Sequence, residues 1–320
     1  MVFLGFDIGG TKCAVSLGES KAGEARILVR RELATPPGWR EAVDVMFGIA
    51  DEMLEGSGAE RPAAVGFSCG SPLDAARGVI QAPPNLPNWV DVPITRMASE
   101  RFGLPSFLEN DANACALAEW RWGAGRGVDN MVFLTFGTGM GAGLILDGRL
   151  YRGASGDAGE VGHMRLASFG PAGYGKEGSF EGFCSGGGIA QLAELFARRA
   201  VQRGETPAYW QSGISPTAKS VADAARAGDE TAREVIAYCA AKLGSGLSII
   251  VDVLNPNRIV IGSIYSRCED LFAEAVRAVI DSECLPSTAP VVSVVPAQLG
   301  DGIGDYAALC VAEYGMSHRP

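Results

Sequence analysis

The chain has 320 residues, 47% of them hydrophobic and 20% charged, with a formal net charge of −10. That length suits one large domain or two moderate ones, each able to bury a core. An acidic chain is a poor candidate for nonspecific nucleic-acid binding, which relies on clustered Lys and Arg. The eight cysteines, at 13, 69, 115, 184, 239, 268, 284 and 310, are scattered and form no Cys-x-x-Cys pair. A disulfide framework is not expected at this length, and a reducing cytoplasm is the simplest setting. No signal peptide precedes the first apolar run and no run reaches transmembrane length, so no membrane partner is expected.

The chain opens on Met-Val-Phe-Leu-Gly-Phe, followed by Asp7, Ile8, the turn Gly9-Gly10-Thr11-Lys12 and a second apolar run to Leu17. The pattern returns 130 positions later: Met1, Val2, Phe3, Leu4, Phe6 and Gly9 match Met131, Val132, Phe133, Leu134, Phe136 and Gly139. Each copy reads as strand, glycine turn, strand, a β-hairpin. Glycine turns let backbone N–H groups close on an anion. One such hairpin is as well explained by an ordinary turn; a duplicated pair favours phosphate binding. Asp7 faces Gly137 in this alignment. A carboxylate beside phosphates repels them unless a cation intervenes, so Asp7 is a candidate for orienting Mg²⁺ through water.

Arg26–Ala34 reads as a strand and Trp39–Glu55 as a helix, with Val43, Met46, Phe47, Ala50, Met53 and Leu54 at helical spacing. Ala63–Ser68 is a short buried strand running into a turn. Residues 82–89 are proline-stiffened, and their Asn85 and Trp89 either face a ligand or fix the loop. Pro105–Glu109 is a strand, then Asn110, Asp111 and Asn113 precede a helix over Ala114–Trp122. Asp or Asn at a helix start is ordinarily a cap. Two such side chains at a strand's C-terminal end also suit a site, where Asp111 could take a proton from a substrate hydroxyl.

After the second hairpin comes a glycine-rich stretch, Gly153 to His163, with Glu160 three residues before the histidine. The chain has only two histidines. A lone His is more often structural, but the neighbouring Glu tips His163 toward a polar ligand site. Residues 168–188, with Glu181, form a long loop whose lack of periodicity favours function. Helices follow at Ile189–Gln202, Ser220–Ala227 and Thr231–Leu254. Gly244 and Gly246 interrupt the last, and either break it, admit a close neighbour or admit a flat ligand. Arg258–Ile261 is a strand ending in Gly262-Ser263, Leu271–Ile280 a helix, Val291–Pro296 a strand, and Asp305–Tyr314 a terminal helix.

Four stretches together, Asp7 to Lys12, Asn110 to Ala114, Phe136 to Gly141 and Glu160 to His163, resemble the ROK family of bacterial repressors and sugar kinases. The likeness continues through Asn255-Pro256 and Ile259 to Gly262, and on to Gly300-Asp301. It implies an α/β chain of two similar lobes of the actin/hexokinase-like (ribonuclease H-like) fold with an interdomain cleft. The expected division is a small lobe at 1–117, joined by 301–320, and a large lobe at 118–300. The resemblance assigns Asp7, Gly9, Gly10, Thr11 and Lys12, with Gly137, Thr138, Gly139 and Gly141, to the two phosphate motifs, and Gly262 to adenosine. Ser263 stands where the family usually has a second glycine. Asn110, Asp111, Glu160, His163 and Glu181 match sugar-binding positions, and Asp111 the catalytic base.

ATP and Mg²⁺ are the implied cofactors, a hexose the implied substrate, and a homodimer or homotetramer the implied assembly. The leading expectation is glucose phosphorylation at the 6-hydroxyl. The alternatives are a kinase for N-acetylglucosamine, N-acetylmannosamine, fructose or allose, a glucokinase using polyphosphate, or a catalytically silent sugar sensor or filament-forming actin relative. The first strand begins at residue 2, so the helix-turn-helix domain of family repressors is not expected. Many members carry three cysteines and a histidine for zinc. The corresponding stretch, Gly173 to Glu181, retains none of those cysteines, so no structural zinc is expected, and Tyr174, Phe180 and Phe183 are expected to pack the loop instead.

Overall fold

The computed structural model describes residues 1–211 and 213–318. In β1 (Val2–Ile8) every residue but Asp7 is buried, as an apolar run flanked on both sides by neighbours requires. It pairs antiparallel with β2 (Lys12–Lys21), which pairs antiparallel with β3 (Glu24–Ala34). α1 (Trp39–Gly56) lays Val43, Met46, Phe47, Ala50 and Met53 into the core, at the spacing the sequence predicts. β4 (Val65–Cys69) then adds parallel to β1. A short hairpin, β5 (Leu73–Asp74) and β6 (Val79–Ile80), and α2 (Ile94–Phe102) lead to β7 (Ser106–Asn110), parallel to β4, and to α3 (Asp111–Trp122). The sheet order is β3-β2-β1-β4-β7.

The second sheet repeats that plan. β8 (Met131–Leu134) pairs antiparallel with β9 (Ala142–Leu146), and β10 (Arg149–Tyr151) completes that side. A small ladder, β11 (Ala172–Gly173) and β12 (Lys176–Glu177), precedes the helices α4 (Phe180–Phe183), α5 (Gly186–Gln202), α6 (Ala218–Arg226) and α7 (Glu230–Leu254). β13 (Arg258–Ile261) is parallel to β8, and after α8 (Ile264–Glu283), β14 (Ser293–Pro296) is parallel to β13. The order β10-β9-β8-β13-β14 matches the first sheet position for position. The hairpin repeat thus marks a duplicated five-strand core. α9 (Ile303–Ser317) returns to pack on β1, β4 and α3.

Two compact units follow: residues 1–127, 150–156 and Gln298 onward, and residues 128–149 and 157–297. Each has its own apolar cluster. The expected division at 117/118 would cut α3 in its middle; the first unit instead runs to Gly127 and takes back 150–156.

Boundaries moved where tertiary contacts outweigh local pattern. α3 starts at Asp111 rather than Ala114, and α8 at Ile264 rather than Leu271, with non-helical backbone at Cys268. α2 and the β5–β6 hairpin were not anticipated; α2 buries only Ile94 and Ala98, too few for a clear period. α7 is unbroken. A Cβ at Gly244 would lie 2.6 Å from Val279 of α8, and one at Gly246 would lie 2.5 Å from the Phe180 ring, so these glycines admit close neighbours. α7 is long and apolar enough to cross a membrane, yet Val235, Cys239, Leu243, Leu247 and Val251 are fully buried, as in a core helix.

Candidate active site

In the first unit, the parallel strands β1, β4 and β7 bring Asp7, Ser68 and Glu109 into one register row. Asp7 is half-buried and its carboxyl is pushed up from 3.8 to about 6. Burial is the chief cause, followed by the negative charges of Asp305 and Asp111, with a Ser68 hydrogen bond and Lys12 opposing. Helix α9 begins against this group: a Cβ at Gly304 would lie 2.2 Å from Asp7 Oδ2, so only glycine lets the helix start there. Asp305 is buried; its Oδ2 accepts from Arg30 Nε at 2.6 Å, and its Oδ1 meets no partner among the described residues.

The Gly9–Lys12 turn lies beside this carboxylate. Gly9 N–H donates to Lys12 O at 3.1 Å, and Thr35 Oγ1 donates to Gly9 O at 2.6 Å. Gly10, Thr11 and Lys12 are exposed, and Lys12 pairs with Glu32 at 3.0 Å. Trp89 is buried in the core, so it fixes the proline-stiffened loop, whereas Asn85 is exposed with its backbone against Gly10.

The two polar residues at the start of α3 divide their work. Asn110 is the cap: its Oδ1 accepts from Ala112 N at 2.9 Å and Asn113 N at 3.3 Å, while its Nδ2 donates to Ser71 Oγ at 2.8 Å. Asp111 is therefore not needed to cap the helix. Its Oδ1 accepts from Ala112 N at 2.8 Å and the side chain is open to solvent. The surrounding protein pushes its carboxyl pKa up by desolvation, opposed by hydrogen bonds from Ala112 and Asn110. Glu109, the preceding residue, was missed by the sequence reading. It is buried, and its Oε1 accepts from Asn110 N at 3.1 Å and Asn113 Nδ2 at 3.0 Å.

In the second unit, the β8–β9 turn is longer than its counterpart, since β8 stops at Leu134 where β1 runs to Ile8. Gly137 N–H donates to Gly139 O at 3.1 Å, and Gly141 N–H to Thr135 Oγ1 at 2.9 Å. Thr138 stands at the tip of this turn. Glu181 braces it, its Oε2 accepting from Met140 N at 3.0 Å. Glu160 precedes a single 3₁₀ turn that His163 ends, and both are exposed. Gly262 N–H donates to Leu134 O at 2.9 Å at the end of β13. Ser263 then takes φ 56°, ψ −111°, a backbone region that disfavours any side chain, which accounts for the family's preference for glycine there.

The 168–188 loop is held as expected by Phe180 and Phe183, both fully buried. Tyr174 is a correction: it is 72% exposed and only meets the His163 ring edge-on at 5.3 Å, because the tight β11–β12 turn carries it away from the core. Among the described residues no three His, Cys, Asp or Glu side chains converge as a metal-ligand group, and all eight cysteines are free.

Two like α/β sheets of the same strand order, each with a glycine turn between its first antiparallel strands, define the actin/hexokinase-like class. The ROK family model matches residues 3–313, and the chain belongs to the ROK family. It is 32% identical to a glucokinase of Thermotoga maritima over 312 residues, 96% of each chain. It superposes on the crystal structure of a ROK family glucokinase from Streptomyces griseus in complex with glucose and AMPPNP with a TM-score of 0.76, at 31% identity over 98% of this chain and 100% of that one. A xylose repressor of Caldicellulosiruptor bescii is also similar, 32% identical over 68% of this chain and 54% of its own length.

Proposed function

We propose that this protein transfers the terminal phosphoryl group of ATP to the 6-hydroxyl of glucose or a glucose-like hexose. The observation that carries this reading is Asp111: a carboxylate at a helix start whose capping work is done by Asn110, in a chain similar over its whole length to glucokinases. Phosphoryl transfer asks the protein for positioning and charge stabilisation. Asp111 accepts the proton of the sugar hydroxyl as its oxygen bonds to phosphorus, and the bond to the bridging oxygen breaks to release ADP. The upward push on its pKa makes it a stronger base than an aspartate at the ordinary value. Asn110, Glu160, His163 and Glu181 supply hydrogen-bonding groups for the sugar hydroxyls. Backbone N–H groups of the 9–12 and 137–141 turns approach the phosphates, and Gly262 leaves room for adenosine.

Asp7 fits a cation. Its pKa is raised first by burial and then by the negative charges of Asp305 and Asp111, and a bound Mg²⁺ would offset that negative charge. Held through water by Asp7, Mg²⁺ would neutralise charge on the transferring phosphate. The 168–188 loop is held by packing, without structural zinc.

The test is a coupled ADP-release assay with ATP or polyphosphate as donor, across glucose, N-acetylglucosamine, N-acetylmannosamine, fructose and allose. Glucose with ATP should give the highest kcat/KM. Absence of sugar-dependent ADP release would overturn the kinase reading, and a preference for an N-acetylhexosamine would overturn the substrate.

A further inference from the structure

The first unit carries an open cavity of about 490 Å³ beyond the edge strand β7, bounded also by the β5–β6 turn, α3, α9 and Arg152. That volume is in the range of small-molecule sites. None of the residues assigned above to sugar, phosphate or adenosine lines it. Its walls combine an apolar side, Phe107 and Leu117, with a basic side, Arg77, Arg152 and His318. Glu109 is the one acidic residue in the lining, and its charge is already met: its Oε2 accepts from Arg152 Nε at 2.8 Å and Nη2 at 2.6 Å, and its Oε1 holds the two amide donors described above. Arg77 is 76% exposed and only loosely balanced by Asp74, 3.9 Å away and outside the lining. In a chain of net charge −10, this is a local reversal of sign.

The basic side is built rather than accidental. Arg152 is fixed by a buried carboxylate, and its guanidinium lies 6.0 Å from the Tyr314 ring. Tyr314 is itself anchored, its Oη accepting from Leu150 N at 3.1 Å, and His318 stacks on it at 4.0 Å and 15°. The β5–β6 turn that carries Arg77 is tied to α2, with Thr95 Oγ1 donating to Gly78 O at 3.3 Å. Positioned guanidinium groups beside an apolar wall suit an oxyanion carried on an organic body.

We propose that this cavity is a second binding site, for a small organic oxyanion: a carboxylate or a phosphate monoester. The site is coupled to the α3 start through one side chain. Glu109 holds Arg152 with one oxygen, and the Asn110 N–H and Asn113 side chain with the other, so a ligand that draws on Arg152 perturbs the residues on either side of Asp111. It is therefore placed to act as an effector site.

Calorimetric titration of the full chain with citrate and, separately, glycerol 3-phosphate tests this without reference to kinase activity. At least one should bind saturably; citrate alone assigns carboxylates, glycerol 3-phosphate alone assigns phosphate monoesters, and both assign oxyanions in general. Arg77→Glu should weaken that binding at least tenfold. A control, Arg198→Glu at an exposed position on α5 of the second unit, should leave it unchanged. Thermal melting checks that each variant folds. No binding of either probe at millimolar concentration, or binding that survives Arg77→Glu, or binding lost equally in a control, overturns the proposal.

Discussion

Asp7 should cost the ligand-free protein stability, and Asp7→Asn should recover it. The carboxyl titrates at about 6 in the folded chain against an ordinary 3.8, chiefly through burial and then through Asp305 and Asp111. Below pH ~4 the group is protonated in both folded and unfolded chains and contributes nothing. As pH rises through the interval up to about 6, the unfolded chain releases its proton while the folded chain keeps it, so stability falls. Above that interval the whole penalty applies. A gap of about two pKa units, at ~1.4 kcal/mol each, amounts to about 3 kcal/mol. Asn has the same shape, carries no charge and can still accept the Ser68 hydroxyl. Urea unfolding of wild type and Asp7→Asn at pH 4, 5, 6 and 7.5 should show curves that diverge across the interval, with the variant more stable by up to about 3 kcal/mol at the upper end and an unchanged m-value. Mg²⁺ with nucleotide should narrow the gap by stabilising the wild type more than the variant. A variant that is less stable at pH 7.5, or a gap that does not change with pH, would refute the electrostatic account.

Asp111→Asn should fold normally, since Asn110 carries the cap, yet lose ~10²–10⁴-fold in kcat in the ADP-release assay; turnover near wild type would remove Asp111 from the mechanism. In the wild type, kcat/KM should fall on acidification at a pH above the ordinary aspartate range, because desolvation raises the Asp111 pKa. Glu160→Ala should weaken glucose binding by roughly 1–3 kcal/mol in calorimetry and leave nucleotide affinity intact; the reverse pattern would reassign it. Ser263→Gly should raise stability by about 1 kcal/mol in urea unfolding, the relief of a strained backbone less the added flexibility of the unfolded chain; a loss of stability would mean that the Ser263 side chain earns its unfavourable geometry.

What was legible in the sequence was what repeats locally. The shared Met-Val-Phe-Leu and the glycine turns foretold two β-hairpins, and β1–β2 and β8–β9 are those hairpins, each at the same place in a sheet of the same order. Apolar spacing located α1, α5 and α7 because each buries one broad face. It failed for α2, whose packed face amounts to two residues, and for the first turn of α3, where polar Asp111 and Asn113 stand at the positions a periodic pattern reads. The division of labour between Asn110 and Asp111 was likewise open in the sequence, because both residue types cap helices equally well. Only the hydrogen bonds assign the cap to Asn110.

The polar network around the site was beyond reach for a different reason. Arg30 and Asp305 are 275 residues apart, and Arg152 and Glu109 are 43 apart, and no periodicity links such partners. Each of these acids would look like a solvated surface charge in a linear reading. Their burial is created by α9, which crosses back onto the first sheet at the end of the chain and sets Gly304 and Asp305 against Asp7. The electrostatics of Asp7 therefore depend on a segment remote from it in sequence. A chain lacking α9 would lose both the packing over β1 and β4 and the field of Asp305. The same return of the chain supplies Tyr314 and His318 to the basic cavity. One helix thus contributes both to the field at the proposed cation position and to the wall of the proposed effector site, although no motif in its own sequence announces either role.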